Sequence, residues 1–196
     1  MNRREWLKSM SALAVGAIAG PSLLAVFDAH AASQKPTAKP EFFNPAQYSL
    51  VGAVSDIVIP RTDTPGAVDA GVPLFMDQLF KAVYAKPDQQ RYLDAMAAFD
   101  KAGGKPFLQL DAAQQKALVT KLHDQAIAVP KGGKLPPAAD FVMMTKKLTM
   151  LGFFLSQPGC TQVLQYDPVP AAWHADIPLS QAGNGKAWAV EAELKI

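Results

Sequence analysis

Cysteine is almost missing. Cys160 is the only one in 196 residues, so an intrachain disulfide, a Cys-x-x-Cys-His haem attachment and an all-cysteine metal site are excluded within the chain. A lone thiol in an oxidising compartment is expected either to be buried and inert or to pair with another chain. Histidine is nearly as scarce: three are present, and His123 and His174 lack the His-x-x-x-His or His-Glu-x-x-His spacing that sets two ligands on one helix face. Neither sign of charge dominates, since the net charge is only +2, and without a clustered basic face no nucleic-acid footprint is expected. Gly-x-Gly-x-x-Gly, the Walker loop and the Gly-x-Ser-x-Gly elbow are all missing, which removes the usual grips for a dinucleotide, a nucleotide phosphate and an activated serine.

What is present begins with a leader. Arg3, Arg4, Trp6, Leu7 and Lys8 precede an apolar stretch from Met10 to Phe27, and Ala29 and Ala31 supply the small residues that a signal peptidase reads. Charged, apolar and small-residue regions in that order make a signal peptide over residues 1–31. The paired arginines are similar to those of the twin-arginine type, which exports folded cargo. An uncleaved anchor is the alternative, because Ser9 to Phe27 approaches spanning length. Residues 32–43, rich in Ser, Lys, Thr and Pro at their start, read as a flexible linker.

Residues 44–196 read as a mainly α, compact domain of about five helices, with a long Pro/Gly loop and an irregular aromatic tail. Asn44-Pro45 starts the first helix, whose stripe is Leu50, Val51, Val54, Ile57 and Val58, and Pro60 ends it. The loop that follows holds Pro60, Arg61, Asp63, Pro65, Gly66, Asp69, Gly71 and Pro73, residues that fix turns. Pro73 opens a helix lined by Phe75, Leu79, Phe80 and Val83, and Pro87 opens one carrying Tyr92, Leu93, Met96 and Phe99. Asp111 and Gln114 predict a capping box before the stripe of Leu118, Leu122 and Ile127, and His123 is expected to serve the carbonyl end of that helix. The fifth helix, from about 138 to 155, is the most apolar and is expected at the centre. From Gln165 onward no period is steady. Tyr166, Asp167, Pro168, Pro170, Trp173 and Trp188 must lie against the domain itself or against a partner.

Two blocks of this sequence, Ile57 to Ala67 continuing through Asp69 to Pro73, and Tyr166 to Pro170 with Gly185 to Ala189, resemble the gluconate 2-dehydrogenase subunit 3 family. The resemblance implies an accessory subunit without catalysis or a cofactor of its own. It implies a large flavin-dependent (FAD) partner of the glucose-methanol-choline type, exported on this chain's leader, and a cytochrome c subunit whose haem takes the electrons. The complex would reside in the periplasm, associated peripherally with the inner membrane. Contact with the partner is expected through the Pro60–Pro73 loop, whose pre-set shape lowers the entropy lost on docking, and through Tyr166, Asp167, Pro168, Pro170 and Trp173. The residues leave two other readings open. One is a free-standing hydrolase using Asp63, Asp69 and His174; the other is a scaffold or lipid-binding module built on the fifth helix.

Overall fold

The computed structural model describes residues 39–166, together with 176, 178, 180 and 185–189. The twin-arginine residues Arg3, Arg4, Trp6, Leu7 and Lys8, the cleavage residues Ala29 and Ala31, and Asp167, Pro168, Pro170, Trp173 and His174 lie outside the described residues.

Among the described residues, five α-helices make up the body: α1 (Pro45–Val58), α2 (Val72–Ala82), α3 (Lys86–Lys101), α4 (Ala112–Ala128) and α5 (Pro137–Phe154). A 3-10 turn, Phe107–Gln109, joins α3 to α4, and a π turn, Gly159–Val163, follows α5. The mainly helical architecture expected from periodicity is therefore the one found, and no strand occurs among the described residues. Local chemistry sets the helix starts. Asn44 Oδ1 accepts from the Gln47 amide at 2.9 Å while Gln47 reaches back to the Asn44 amide, and Asp111 and Gln114 repeat the same reciprocal box on α4. Proline occupies the first turns of α1, α2, α3 and α5, where its missing N–H has no intrahelical role. Ile59, kept out of the helical region by the proline that follows it, ends α1.

Helix α5 is the centre: it packs against each of the other four. Its inward face carries Phe141, Val142, Leu148 and Phe153 and also two threonines, Thr145 and Thr149, that are fully buried. Each threonine finds a hydroxyl on a different neighbour. Thr145 bonds Tyr92 of α3 at 2.8 Å and Thr149 bonds Ser55 of α1 at 3.1 Å. Buried hydroxyls left unpaired would cost about 1–3 kcal/mol each, so these two bonds fix the rotational setting of α1 and α3 on α5.

The rest of the core is aromatic. Phe80 packs on Tyr92 at 4.2 Å between ring centroids, Tyr92 on Phe141 at 5.3 Å, Phe141 on Phe99 at 4.8 Å and Phe99 on Phe107 at 4.8 Å. Such pairs add about 0.5–1.5 kcal/mol each beyond the area they bury. Burial pushes the Tyr92 phenol well above its ordinary value of 10.0, outweighing the hydrogen bond from Thr145 that favours ionisation. Above about pH 10 the unfolded chain releases this proton while the native state retains it, so stability falls as pH rises. The expected result for Tyr92→Phe is a flatter loss of stability between about pH 10 and 12, offset by about 1 kcal/mol lost at neutral pH with the Thr145 bond. Urea titrations at a series of pH values would show it.

Several expected faces are rotated. On α2 the buried residues are Val72, Pro73, Met76, Asp77 and Phe80, whereas Phe75 and Leu79 are half-buried and Val83, just past the last turn, is exposed. On α4 the inward set is Val119, Leu122 and Ala126, and Ile127 stands 64% exposed, because 127 lies off the face that meets α5. His123 does not serve the end of α4. Its Nε2 accepts from Lys146 Nζ of α5 at 2.8 Å, which brings a half-buried lysine into the helix–helix contact. Cys160 is half-buried, not buried, and its Sγ lies 3.1 Å from the Phe154 carbonyl oxygen. No helix among the described residues is long and apolar enough to cross a membrane.

The boundary expected at residue 43 also moves. Glu41, Phe42 and Phe43, placed in the flexible linker by composition, belong to the folded body: their three amides donate to the Asp77 carboxylate at 2.7, 3.0 and 2.7 Å. Phe43 is 3% exposed, and Phe42 stacks on Phe80 with 5.5 Å between centroids. Two adjacent phenylalanines supply enough apolar surface to join the core, which outweighs the polar, proline-containing character of the residues before them.

Candidate partner-docking site

The Pro60–Pro73 loop is a closed unit. Its ends are tied by the Ala67 amide, which donates to the Ile59 carbonyl at 2.9 Å, and by the Val72 amide, which donates to the Ala67 carbonyl at 3.1 Å. Between them the Asp69 carboxylate accepts from the Gly66 amide at 3.0 Å and pairs with Arg61 Nε at 2.9 Å. An ion pair whose arginine is 70% exposed contributes little alone, so Asp69 matters chiefly as the group that holds the turn shut. Ala67 and Val72 are fully buried and anchor the loop in the core, while Pro60, Arg61, Asp63 and Val68 face outward. Pro65 is half-buried, and Gly71 takes the left-handed conformation at the N-cap of α2.

Gly66 is buried where the loop turns back on α1. A Cβ there would stand 2.7 Å from the Arg61 amide nitrogen and 3.1 Å from the Ile59 carbonyl oxygen, both backbone atoms. The expected result for Gly66→Ala is a loss of about 1–3 kcal/mol, since overpacking against backbone has no side chain to move aside. Hydrogen exchange would find the Ala67 amide deprotected well before the helices. An unchanged rate there would mean that the loop is not closed in solution.

Against this loop the outer face of α1 forms a shallow groove of about 530 Å³. Tyr48, Gly52, Ala53 and Asp56 form one wall, and Arg61, Val68, Asp69 and Pro73 the other. Small side chains at 52 and 53 leave the backbone of α1 close to the surface, and Val68 stands 49% exposed at the rim. Burial, and secondarily the Asp77 charge, raise the Tyr48 phenol above its ordinary value, so it remains a neutral hydrogen-bonding group. The groove is thus a rigid, mildly acidic rim around small apolar residues, a shape suited to receiving a protein surface.

The second block lies beyond α5. Gln165 forms a parallel bridge with Trp188: the Gln165 amide donates to Ala187 and the Ala189 amide donates to Gln165, both at 2.8 Å. Lys186 Nζ reaches the Gln162 carbonyl oxygen at 2.7 Å, so the block clamps the π turn. Tyr166 (57%) and Trp188 (41%) are left exposed. No hydrogen bond or ion pair among the described residues joins this block to the loop at 60–73.

Of the residues expected for hydrolysis, Asp69 is engaged by Gly66 and Arg61, and Asp63 is exposed. No group of three His, Cys, Asp or Glu side chains suited to a metal ion occurs among the described residues.

Residues 45–170 match the family described as gluconate 2-dehydrogenase subunit 3, a span that takes in all five helices, the clamped loop and the start of the second block. The chain belongs to that family. No curated protein and no solved structure matches it. The family takes its name from a subunit of a gluconate 2-dehydrogenase complex, so association with a dehydrogenase complex follows for this chain. The Asp77 contact is the structural element that sequence reading missed. A single Asp inside Val72–Ala82 looks like an ordinary solvent-face residue, and nothing local to it shows that its partners lie 34–36 positions upstream.

Proposed function

We propose that this chain is the non-catalytic small subunit of a periplasmic, FAD-dependent dehydrogenase of the glucose-methanol-choline type, acting on a sugar, sugar acid or polyol. It stabilises the flavoprotein subunit and escorts it through the twin-arginine route, and a cytochrome c subunit takes the electrons onward. The observation that carries this reading is the family match over the whole helical body. Two further features support it. The loop at 60–73 is internally tied, so little conformational entropy is left to lose on docking, and it presents Val68 and Arg61 outward. The leader carries Arg3 and Arg4 ahead of an apolar stretch, in a chain without a dinucleotide motif of its own. A folded partner that holds the flavin supplies the reason for such a route.

Export of the partner is the test. With the flavoprotein subunit co-expressed, replacing Arg3 and Arg4 together by lysine is expected to leave both chains in the cytoplasm and to abolish dehydrogenase activity in the periplasmic fraction. Immunoblots of the fractions read the result directly. A flavoprotein that still reaches the periplasm would remove the escort role.

A further inference from the structure

Helix α1 breaks two local rules on one face. Gly52 stands at its middle, where glycine is the least favourable residue after proline. Asp56, one turn on, puts a carboxylate beside the free carbonyls of the last turn, where a cation would be stabilising. Residues four apart share a helix face, and both of these line the groove against the Pro60–Pro73 loop.

The chain's own packing explains neither. Gly152, the other glycine inside a helix among the described residues, is required by the core, since a Cβ there would stand 2.6 Å from the Phe75 ring. A Cβ on Gly52 would meet only Pro73, at an ordinary 3.8 Å. Asp56 is exposed and makes no hydrogen bond or ion pair among the described residues, whereas Asp69 across the groove is taken by Arg61 and Gly66. Departures from local preference that internal packing does not compensate belong where a second molecule supplies the contacts.

We infer that the groove seats an arginine of the flavoprotein subunit, its guanidinium on Asp56 and its aliphatic stem along the bare backbone at Gly52 and Ala53. This rests on the proposal that the chain binds such a subunit. Charge selects a cation, because Asp56 is the carboxylate of the groove that has no partner. Shape selects arginine over lysine: the planar fork can give two parallel N–H groups to one carboxylate, and the stem covers the apolar surface that glycine leaves open.

The test titrates the full chain against the FAD-loaded flavoprotein subunit. Asp56→Asn is expected to raise Kd at least about tenfold at low salt and to flatten its salt dependence, and Asp56→Lys to raise it at least about a hundredfold. Gly52→Leu, which fills the groove with a good helix former, is expected to raise Kd at least about tenfold. Each variant removes a locally unfavourable choice, so the Tm of the chain alone should hold or rise by about 1–4 °C. Benzoylphenylalanine at Val68, on the groove rim, is expected to photocrosslink to a flavoprotein peptide that contains arginine. Changing that arginine to glutamate should restore part of the affinity lost in Asp56→Lys.

Unchanged Kd in Asp56→Lys and Gly52→Leu overturns the inference, as does capture of a second copy of this chain or of a peptide without arginine. Weaker binding accompanied by a Tm lowered by more than about 5 °C also overturns it, because the two residues would then serve the fold. In each of these cases the unsubstituted chain still binds the flavoprotein and the association stands. An unsubstituted chain that does not bind it defeats the association, and the inference with it.

Discussion

Replacing Asp77 by alanine is expected to lower the free energy of unfolding by about 3 kcal/mol, a large share of the roughly 5–15 kcal/mol available to a domain of this kind. The carboxylate accepts three amides, and they are not equal. The Phe43 bond is buried and water cannot replace it, whereas those of Glu41 and Phe42 are only part-buried. Leaving the first unsatisfied costs about 1–3 kcal/mol, and the other two, being part-buried, lose less because water can take the place of the carboxylate. Phe42 and Phe43 then hold their places by ring packing alone. Urea unfolding should show a lower midpoint, with a changed slope if residues 41–43 detach before the rest. A loss below about 0.5 kcal/mol, the range of an ordinary surface substitution, would mean that the contact contributes nothing in solution.

Asp77 also shows where sequence reading stops. The capping boxes at Asn44 and Asp111 were legible because donor and acceptor are three residues apart, and the chemistry of that spacing is local. The Pro60–Pro73 loop was legible for the same reason, since proline, glycine and Asp69 fix turns through their own backbones. The contacts that set the tertiary arrangement are different in kind. Thr149 meets Ser55 across 94 positions and Tyr92 meets Thr145 across 53. A threonine on an apolar helix looks like a concession to solvent until its partner is known.

Face assignment suffered likewise. Val83 and Ile127 are large and apolar, which places them inside by pattern, but α2 ends one residue before Val83 and α4 turns Val119, Leu122 and Ala126 inward instead of Ile127. Periodicity locates a stripe to within about one residue, and the neighbouring helix decides which edge of it is covered. At the candidate site, composition identified the loop but not its closure. That Arg61 and Gly66 share Asp69 as a partner, and that α1 offers small residues opposite them, are facts of three-dimensional approach.

The other large effect is expected from Gly159→Ala. A Cβ at this position would run into the Phe153 carbonyl oxygen and would lie 2.9 Å from its carbonyl carbon, with the Phe154 Cα at 3.1 Å. All three atoms are backbone in the last turn of α5. That turn cannot recede, because the Leu155 amide donates to Leu151 at 3.1 Å and the Ser156 amide to Phe153 at 3.0 Å, while Phe153 itself is buried. Relief must come from the other side, by moving the π turn away from α5. The Cys160 amide bond to Ser156 at 2.9 Å and the thiol contact with Phe154 would then be lost, and the Gln165–Trp188 bridge, which follows directly, would lose its footing. A cost of about 3 kcal/mol is expected, at the upper end of what overpacking produces, and it should lower Tm by about 6–12 °C for a domain of this size. The same displacement should make Cys160 react faster with a thiol reagent, since the half-buried sulfur is uncovered as the π turn lifts. Thermal unfolding followed alongside thiol labelling separates the two effects. A variant that melts within about 1 °C of the parent and labels at the same rate would show that the π turn does not press on the end of α5 in solution.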